Sequence, residues 1–223
     1  TIVDRKLTWQ HFEATLNEDN VILLHDIINQ TTEELDFRDR VIDMSLGYDA
    51  LVVTTTSQCL VYNSSNWHTP HVEDLKEPAT LIEEVFPGDT NTYDTLFGGR
   101  LLSLMDKAGG ISCSKFAHRE FVTISIDTLT FIAPARKGDL LEVSGKVVFT
   151  SSHTACSKVT ALAVNKSTWE KKKICEGYFF FVAIDSMMRP IPIPQFVVEE
   201  EEERIDWERA KDIREHMLAM KNK

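Results

Sequence analysis

One carboxylate in this sequence is hard to explain by packing alone. Asp106 lies inside G-G-R-L-L-S-L-M-D-K-A-G-G-I-S-C-S-K-F-A-H (98–118), which carries apolar or small residues at 102, 105, 109, 112, 113 and 116. That spacing is one helix face. Four residues after Leu102 and three before Gly109, the Asp106 carboxylate falls beside the face that packs. Aspartate is a poor helix former and is costly to bury without a partner. Gly109-Gly110 costs about 1 kcal/mol per glycine against alanine in a helix interior, so something must approach the backbone closely there. A binding tunnel against the helix would explain both features; plain exposure, or pairing with Arg100 or Lys107, is the competing reading. An ionised Asp106 can act as general base on water or attack directly as a nucleophile.

Gly98-Gly99 open the same helix, where backbone N–H groups lack intrahelical partners and the dipole is positive. A carbonyl held there gains donors as negative charge develops on its oxygen. A tight loop-to-helix turn is the plain structural reading, and both can hold together. Other constellations are weaker. His68-x-x-His71 has a metal-like spacing but lies in a polar, Pro-bearing stretch with no further Cys or His close in sequence, so no metal site is expected. Cys113 and His118 are five apart on the helix and do not share a face, which argues against a Cys-His nucleophile.

The elements that must position Asp106 follow from the rest of the chain. T-L-I-E-E-V-F (80–86) is a candidate strand, and P-G-D-T-N-T-Y-D-T (87–95) is a polar loop. After the helix come β-rich stretches at about 120–133, 139–150, 153–165 and 173–185. One strand, one long helix and a run of long antiparallel strands predict an α+β layer with a single helix on a curved sheet. R-P-I-P-I-P (189–194) cannot continue a ladder, because proline lacks the donor N–H, and should run extended along a surface. Residues 199–223 read as a charged helix reaching about Met220, with Ile205, Ile213, Met217 and Met220 on a narrow stripe. Acidic residues at its start and Lys221 and Lys223 at its end suit the helix dipole. Such a helix is expected to be a solvated flank docked by a few apolar contacts. Residues 1–78 read as strands: V-I-D-M-S-L (41–46), A-L-V-V-T-T-T (50–56) and Q-C-L-V-Y-N (58–63), with a turn at Gly47-Tyr48-Asp49, suggest an antiparallel meander.

Composition bounds the function. With 43% hydrophobic residues in 223, the chain can bury a packed core. A net charge of −11 works against a nucleic-acid or anionic-membrane surface, which needs clustered Lys and Arg. The four cysteines are scattered without a C-x-x-C pair, so reduced intracellular thiols are expected. No apolar run reaches the roughly 20 residues of a membrane-spanning helix, and no signal-peptide pattern opens the chain. A cytoplasmic protein is expected, with mitochondrial targeting left open because residue 1 is Thr rather than Met.

From about residue 80 onward the chain resembles the acyl-CoA thioesterases of the hot-dog superfamily. P-G-D-T-N (87–91), T-L-F-G-G-R (95–100), L-M-D-K-A-G (104–109), F-V-T-I-S-I-D (121–127), F-I-A-P-A-R-K-G-D (131–139) and F-F-F-V-A-I-D (179–185) fall in order, followed by R-P-I-P-I-P (189–194). The resemblance implies a hot-dog fold over 79–198, preceded by a short all-β segment and followed by the C-terminal helix, and hydrolysis of acyl-CoA thioesters. It implies Asp106 as the catalytic acid of L-M-D-x-x-G, the amides near Gly99 as oxyanion hole, and Thr95 where some relatives carry a water-positioning Asn. It points to Thr150, Ser151, Ser152 and Thr154 for the pantetheine and phosphate ends of coenzyme A, with Arg136, Lys137, Lys158 and Lys171-Lys172-Lys173 nearby for the phosphates. Coenzyme A is part of the substrate, so no separate cofactor is implied. A homodimer with the site at the subunit boundary is implied, assembling further into a hexamer, with tunnel depth set by Leu102, Met105, Phe121 and Phe131. Asp94 stands where relatives have Gly, and Cys156 where an acidic residue is common. A hydratase of the same fold would need a His near Phe97. A non-catalytic acyl-CoA binder is the reading from another class.

Residues 7–77 carry a second resemblance. W-Q-H-F-E-A-T-L (9–16), L-D-F-R-D-R-V-I (35–42), L-V-V-T-T-T-S-Q-C-L-V-Y (51–62) and N-W-H-T-P (66–70) look like one or two blades of the WD-repeat propeller of an intraflagellar-transport subunit. A propeller closes with about 4 to 8 blades, so this piece is expected to expose strand edges. It implies an appendage or a ciliary interaction module.

Overall fold

The computed structural model describes residues 6–221, excluding the side chains of 72–74 and 221. The chain divides into two compact units, Thr1–Lys76 and Glu77–Lys223.

In the first unit, β1 (Lys6–Trp9), β2 (Phe12–Leu16), β3 (Val21–Asp26) and β4 (Thr31–Asp36) form one four-stranded meander. Next, β5 (Val41–Gly47), β6 (Ala50–Thr55), β7 (Gln58–Asn63) and β8 (Asn66–Asp74) form another. Alternation is what closes it. In β2 every second residue is buried, and Ile22, Leu24, Leu51 and Val53 join Phe12, Met44 and Tyr62 in a core shared by the two sheets. The Tyr48-Asp49 connection has φ of 50° and 59° at its two central residues, the backbone of a type I′ hairpin. Asn20 ties one meander to the next: its Nδ2 donates to Phe37 O and Asp39 O, both at 3.0 Å, and its Oδ1 accepts from Val41 N–H at 2.8 Å.

The second unit is α+β. Helix α1 (Gly98–Ala117) lies against an antiparallel sheet of β9 (Ala79–Glu84), β10 (Glu120–Phe131), β11 (Leu140–Thr150), β12 (Thr154–Val164) and β13 (Lys171–Ile184). The strand order is β10-β13-β12-β11-β9. A 3₁₀ turn, Pro87–Asp89, opens the loop before α1. The helix buries Leu101, Leu104, Met105, Ala108, Gly109, Ser112, Cys113, Phe116 and Ala117. This face is wider than the expected stripe, and Leu102 stands at its margin, only partly buried. Gly109 is explained by the sheet rather than by a tunnel. A Cβ there would meet the Phe181 ring at 3.0 Å and Val159 at 3.2 Å, and one on Gly145 would meet Ala108 O at 2.7 Å. Helix and strand backbones approach each other where both lack a side chain.

Helix α2 (Glu201–Lys221) is more than a flank. Trp207, Ala210, Ile213 and Met217 cover Val148, Phe149, Cys156, Tyr178 and Phe180. Asp206 accepts from Lys158 Nζ at 2.8 Å and from the Tyr178 hydroxyl at 2.9 Å. Ile205 and Met220, expected on its stripe, are exposed instead. Lys223 and the Lys221 side chain lie outside the described residues. Among the described residues no helix is long and apolar enough to cross a membrane. The Pro-rich segment returns more to the sheet than its prolines suggest: Ile191 N–H donates to Ala183 O, Ile193 N–H to Ser152 O, and Phe196 N–H to the Thr150 hydroxyl.

Candidate active site

Asp106 is half-buried on α1, and its Oδ1 accepts a hydrogen bond from Thr123 Oγ1 at 2.7 Å. Arg100 is engaged elsewhere, donating to Asp89 through Nε at 3.1 Å and to Glu83 through its guanidinium. Thr123 lies on β10, the edge strand, whose outward Ile124 and Ile126 are exposed. The strand bends at a bulge after Asp127, where Thr128 has φ of 52° and its hydroxyl bonds the Asp127 carboxylate. A β-branched residue in that region is an outlier, and it ends the regular part of the edge.

The start of α1 is uncapped by any side chain. Phe97 is the N-cap, and phenylalanine has no acceptor to offer the first amides. Arg100 N–H donates to Phe97 O at 3.0 Å, so Gly98 and Gly99 occupy the first two helical positions, whose N–H groups lack intrahelical acceptors. Asp89 holds the approach: its Oδ2 accepts from Phe86 N–H and its backbone O accepts from Phe97 N–H at 2.8 Å. A Cβ on Gly99 would meet the exposed Phe97 ring at 2.8 Å, so that ring would have to turn aside. Seven residues separate Gly99 from Asp106, roughly 10 Å along the helix at 1.5 Å each.

Asn91 is the asparagine of this loop, and its Oδ1 accepts from Thr95 Oγ1 at 3.1 Å, Thr95 N–H at 3.3 Å and Tyr93 N–H at 2.9 Å. Thr95 buttresses it. Asp94 adopts φ of 55°, a left-handed backbone that glycine takes at no steric cost and aspartate tolerates.

The expected coenzyme A residues are divided. Arg136 and Lys137 are exposed and sit beside Thr95 and Asp94: Thr95 bridges to Arg136, and Lys137 N–H donates to Asp94 O. The turn at 150–154 lies at the other end of β11, roughly 33 Å away at about 3.3 Å per residue. There the Thr150 hydroxyl is buried and taken by Phe196 N–H at 2.6 Å, and Ser152 Oγ meets His153 Nδ1 at 2.9 Å. Ser151 Oγ is buried without a hydrogen-bond partner among the described residues, and Thr154 is half-buried. Lys158, Lys171 and Lys173 are paired with Asp206, Glu142 and Glu176, so they are not idle phosphate ligands. Lys172 is exposed. Cys156 lies under the apolar cover of α2, and burial, then the neighbouring Cys113, pushes its thiol far up. Cys113 is likewise buried and held as the neutral thiol. Neither has thiolate character. Among the described residues no group of three or more His, Cys, Asp or Glu could hold a metal ion.

A cleft of about 320 Å³ opens beside the helix start, lined by Leu96, Gly98, Leu101, Ile174 and the 131–135 segment. Of the expected tunnel residues only Phe131 lines it; Met105 is fully buried in the core.

Comparison with known proteins identifies both units. The model for the IFT80 second beta-propeller matches residues 4–175. The rat Intraflagellar transport protein 80 homolog is 40% identical over 76 residues, 34% of this chain and 10% of that one. Beyond Lys76 that family match runs over a helix and a five-stranded sheet, which are not successive four-stranded meanders, so the likeness is carried by the first unit. The Bacillus subtilis acyl-CoA thioester hydrolase YkhA is 34% identical over 136 residues, 60% of this chain and 79% of that protein. The rat cytosolic acyl coenzyme A thioester hydrolase is 30% identical over 135 residues, 60% of this chain but only 35% of its own length. Among solved structures, an apo-hexameric acyl-CoA thioesterase superposes with a TM-score of 0.60 at 32% identity, covering 63% of this chain and 90% of that one. An acyl-CoA hydrolase from Staphylococcus aureus, solved with butyryl coenzyme A, gives 0.60 at 26% identity, covering 66% and 89%. Solved variants of that hydrolase replace an aspartate, an asparagine and a threonine with alanine; the asparagine lies 15 residues before the aspartate and the threonine 17 after it. Asn91, Asp106 and Thr123 have the same separations. Neither Asn91 nor Thr123 was singled out from the sequence, although P-G-D-T-N and F-V-T-I-S-I-D contain them. The chain therefore belongs, through its first unit, to the IFT80 second beta-propeller family and, through its second, to the acyl-CoA thioester hydrolases.

Proposed function

We propose that the second unit is a hot-dog enzyme that hydrolyses acyl-CoA thioesters to free fatty acid and coenzyme A. Asp106 activates water, or attacks the carbonyl itself, and the amides near Gly99 receive the developing oxyanion. Water oxygen becomes part of the new carboxylate, the C–S bond breaks, and the thiolate of coenzyme A takes a proton. Asn91 orients the carbonyl or water from the loop, and Thr95 fixes Asn91. Thr123 orients the Asp106 carboxylate through its hydroxyl. Arg136 and Lys137 at one end of the sheet, and Ser151, Ser152 and Thr154 with Thr150 behind them at the other, contact coenzyme A from different subunits.

The observation that carries this reading is the half-exposed mid-helix carboxylate held at 2.7 Å by a hydroxyl on the free edge strand. The roughly 10 Å between Gly99 and Asp106 favours a site in which Gly99 of one copy faces Asp106 of a second. We therefore expect a homodimer paired through β10, assembling into a hexamer as the hexameric relative does. The cytosol is the compartment we assign, after the cytosolic relative.

Thiol release from acyl-CoA, followed with DTNB on the full chain, tests the reading. Asp106→Ala should lower turnover by about 10²- to 10⁴-fold with the oligomer intact, and near-normal activity in that variant would end the assignment. A single turnover in ¹⁸O-water separates the routes, since an anhydride intermediate can leave label in the Asp106 carboxylate. The first unit's likeness to a transport-particle propeller favours a second, independent role as an interaction module; capture of intraflagellar-transport subunits by the chain, lost when residues 1–76 are removed, would support it.

A further inference from the structure

We infer that the cleft beside the start of α1 holds the acyl chain and limits it to medium length, about eight to ten carbons. The inference rests on the thioesterase reading and adds which chains fit.

Its lining is Leu96, Gly98, Leu101, Ile174 and the 131–135 segment. No side chain in that set carries a charge or a hydrogen-bonding group, so apart from backbone groups such as the Gly98 amide at its edge the cleft offers apolar surface. Hydrocarbon is the chemistry it accepts. Exposure separates a floor from a mouth. Leu101, Ala135 and Ile174 are 3%, 2% and 1% exposed, whereas Phe131 and Ile132 are 55% and 54% exposed. The floor is fixed by backbone bonds: Ile132 N–H donates to Ile174 O at 2.8 Å and Leu96 N–H to Ala135 O at 2.9 Å.

Continuity with the reacting end selects the occupant. Gly98 belongs both to the cleft wall and to the free amides of the helix start, and a Cβ on it would stand 3.4 Å from the Phe131 ring. A thioester whose oxygen meets these amides has its alkyl chain leaving beside the same glycine. A space of about 320 Å³ holds on the order of ten groups of water or methylene size, at roughly 30 Å³ each. Each methylene that enters should raise kcat/KM about fourfold, until the floor is reached.

The test is an even-numbered series of acyl-CoA thioesters from four to sixteen carbons, assayed by thiol release on the full chain, for wild type, Ala133→Leu and Ile132→Ala. Light scattering follows the assembly. Wild type should climb steeply from four carbons and level or fall beyond about ten. Ala133→Leu should shorten the optimum by about four carbons, losing rate far more steeply on the long esters than on the four-carbon one, and Ile132→Ala, which widens the cleft, should flatten the fall at the long end. Parallel profiles in all three proteins would overturn the cleft assignment, as would a change in assembled mass in Ala133→Leu with an unshifted profile, which would give the cleft to a neighbouring subunit. Absence of hydrolysis with any chain in wild type would instead remove the thioesterase reading itself.

Discussion

The two units satisfy the same local rules to different degrees. In the first, alternation puts Phe12, Ala14 and Leu16 inward along one strand, the residues with positive φ all lie in turns between strands, and Asn20 spends both ends of its amide on the junction. In the second, a helix begins on an aromatic residue, a carboxylate sits mid-helix, and a threonine takes a left-handed backbone inside a strand. All three lie on or beside α1 and β10. Local rules are broken where groups are kept for something outside the chain, and kept where the chain completes its own bonds.

Substitutions can break this contrast or sharpen it. The largest expected effect among them falls on Thr123. Thr123→Val removes a hydrogen bond to a charged acceptor, which at about 1.5–3 kcal/mol is a loss of about 10- to 100-fold in kcat/KM, with the melting temperature nearly unchanged. A parallel fall in stability would make Thr123 a structural residue. Asn20→Ala should do the opposite, costing the first unit about 1–3 kcal/mol by removing three bonds to partly buried backbone groups and leaving thioester cleavage unchanged. Loss of activity there would show that the units are coupled.

The α2 face gives a smaller, pH-dependent effect. Burial, then the bond to Asp206 and its charge, raises the Tyr178 pKa well above the ordinary phenol value, and Arg209 opposes them weakly. A raised folded pKa contributes stability that is complete below the unfolded value near 10 and is lost as pH climbs past it. Denaturant midpoints at pH 8 and 11 should therefore diverge, and Tyr178→Phe should narrow the gap. The smallest expected effect is Asp94→Gly, which relieves a positive φ and should change stability by less than about 1 kcal/mol with activity retained; a large loss would give the Asp94 carboxylate a role of its own.

Much of this was legible before folding. The helix over Gly98–Ala117, the long strands around it and Asp106 as the exceptional carboxylate all follow from period and residue type, because these are properties of a few turns of chain. The ordered motifs did the same for the family. The partner of Asp106 was not legible: Thr123 is 17 residues away on another element, and nothing local marks one threonine in a β-rich run. The gap at Gly109 likewise waited for Phe181 and Gly145, and the docking of α2 for Trp207 and its seat on Phe149. Sequence by itself determined the main elements of the second unit and the chemistry that Asp106 can offer, since short-range pattern and side-chain type carry them. Tertiary structure alone decided which hydroxyl holds that carboxylate and that Thr150 is taken by Phe196. The reason is that these depend on distances between residues far apart in the chain, which are set only when helix and sheet pack.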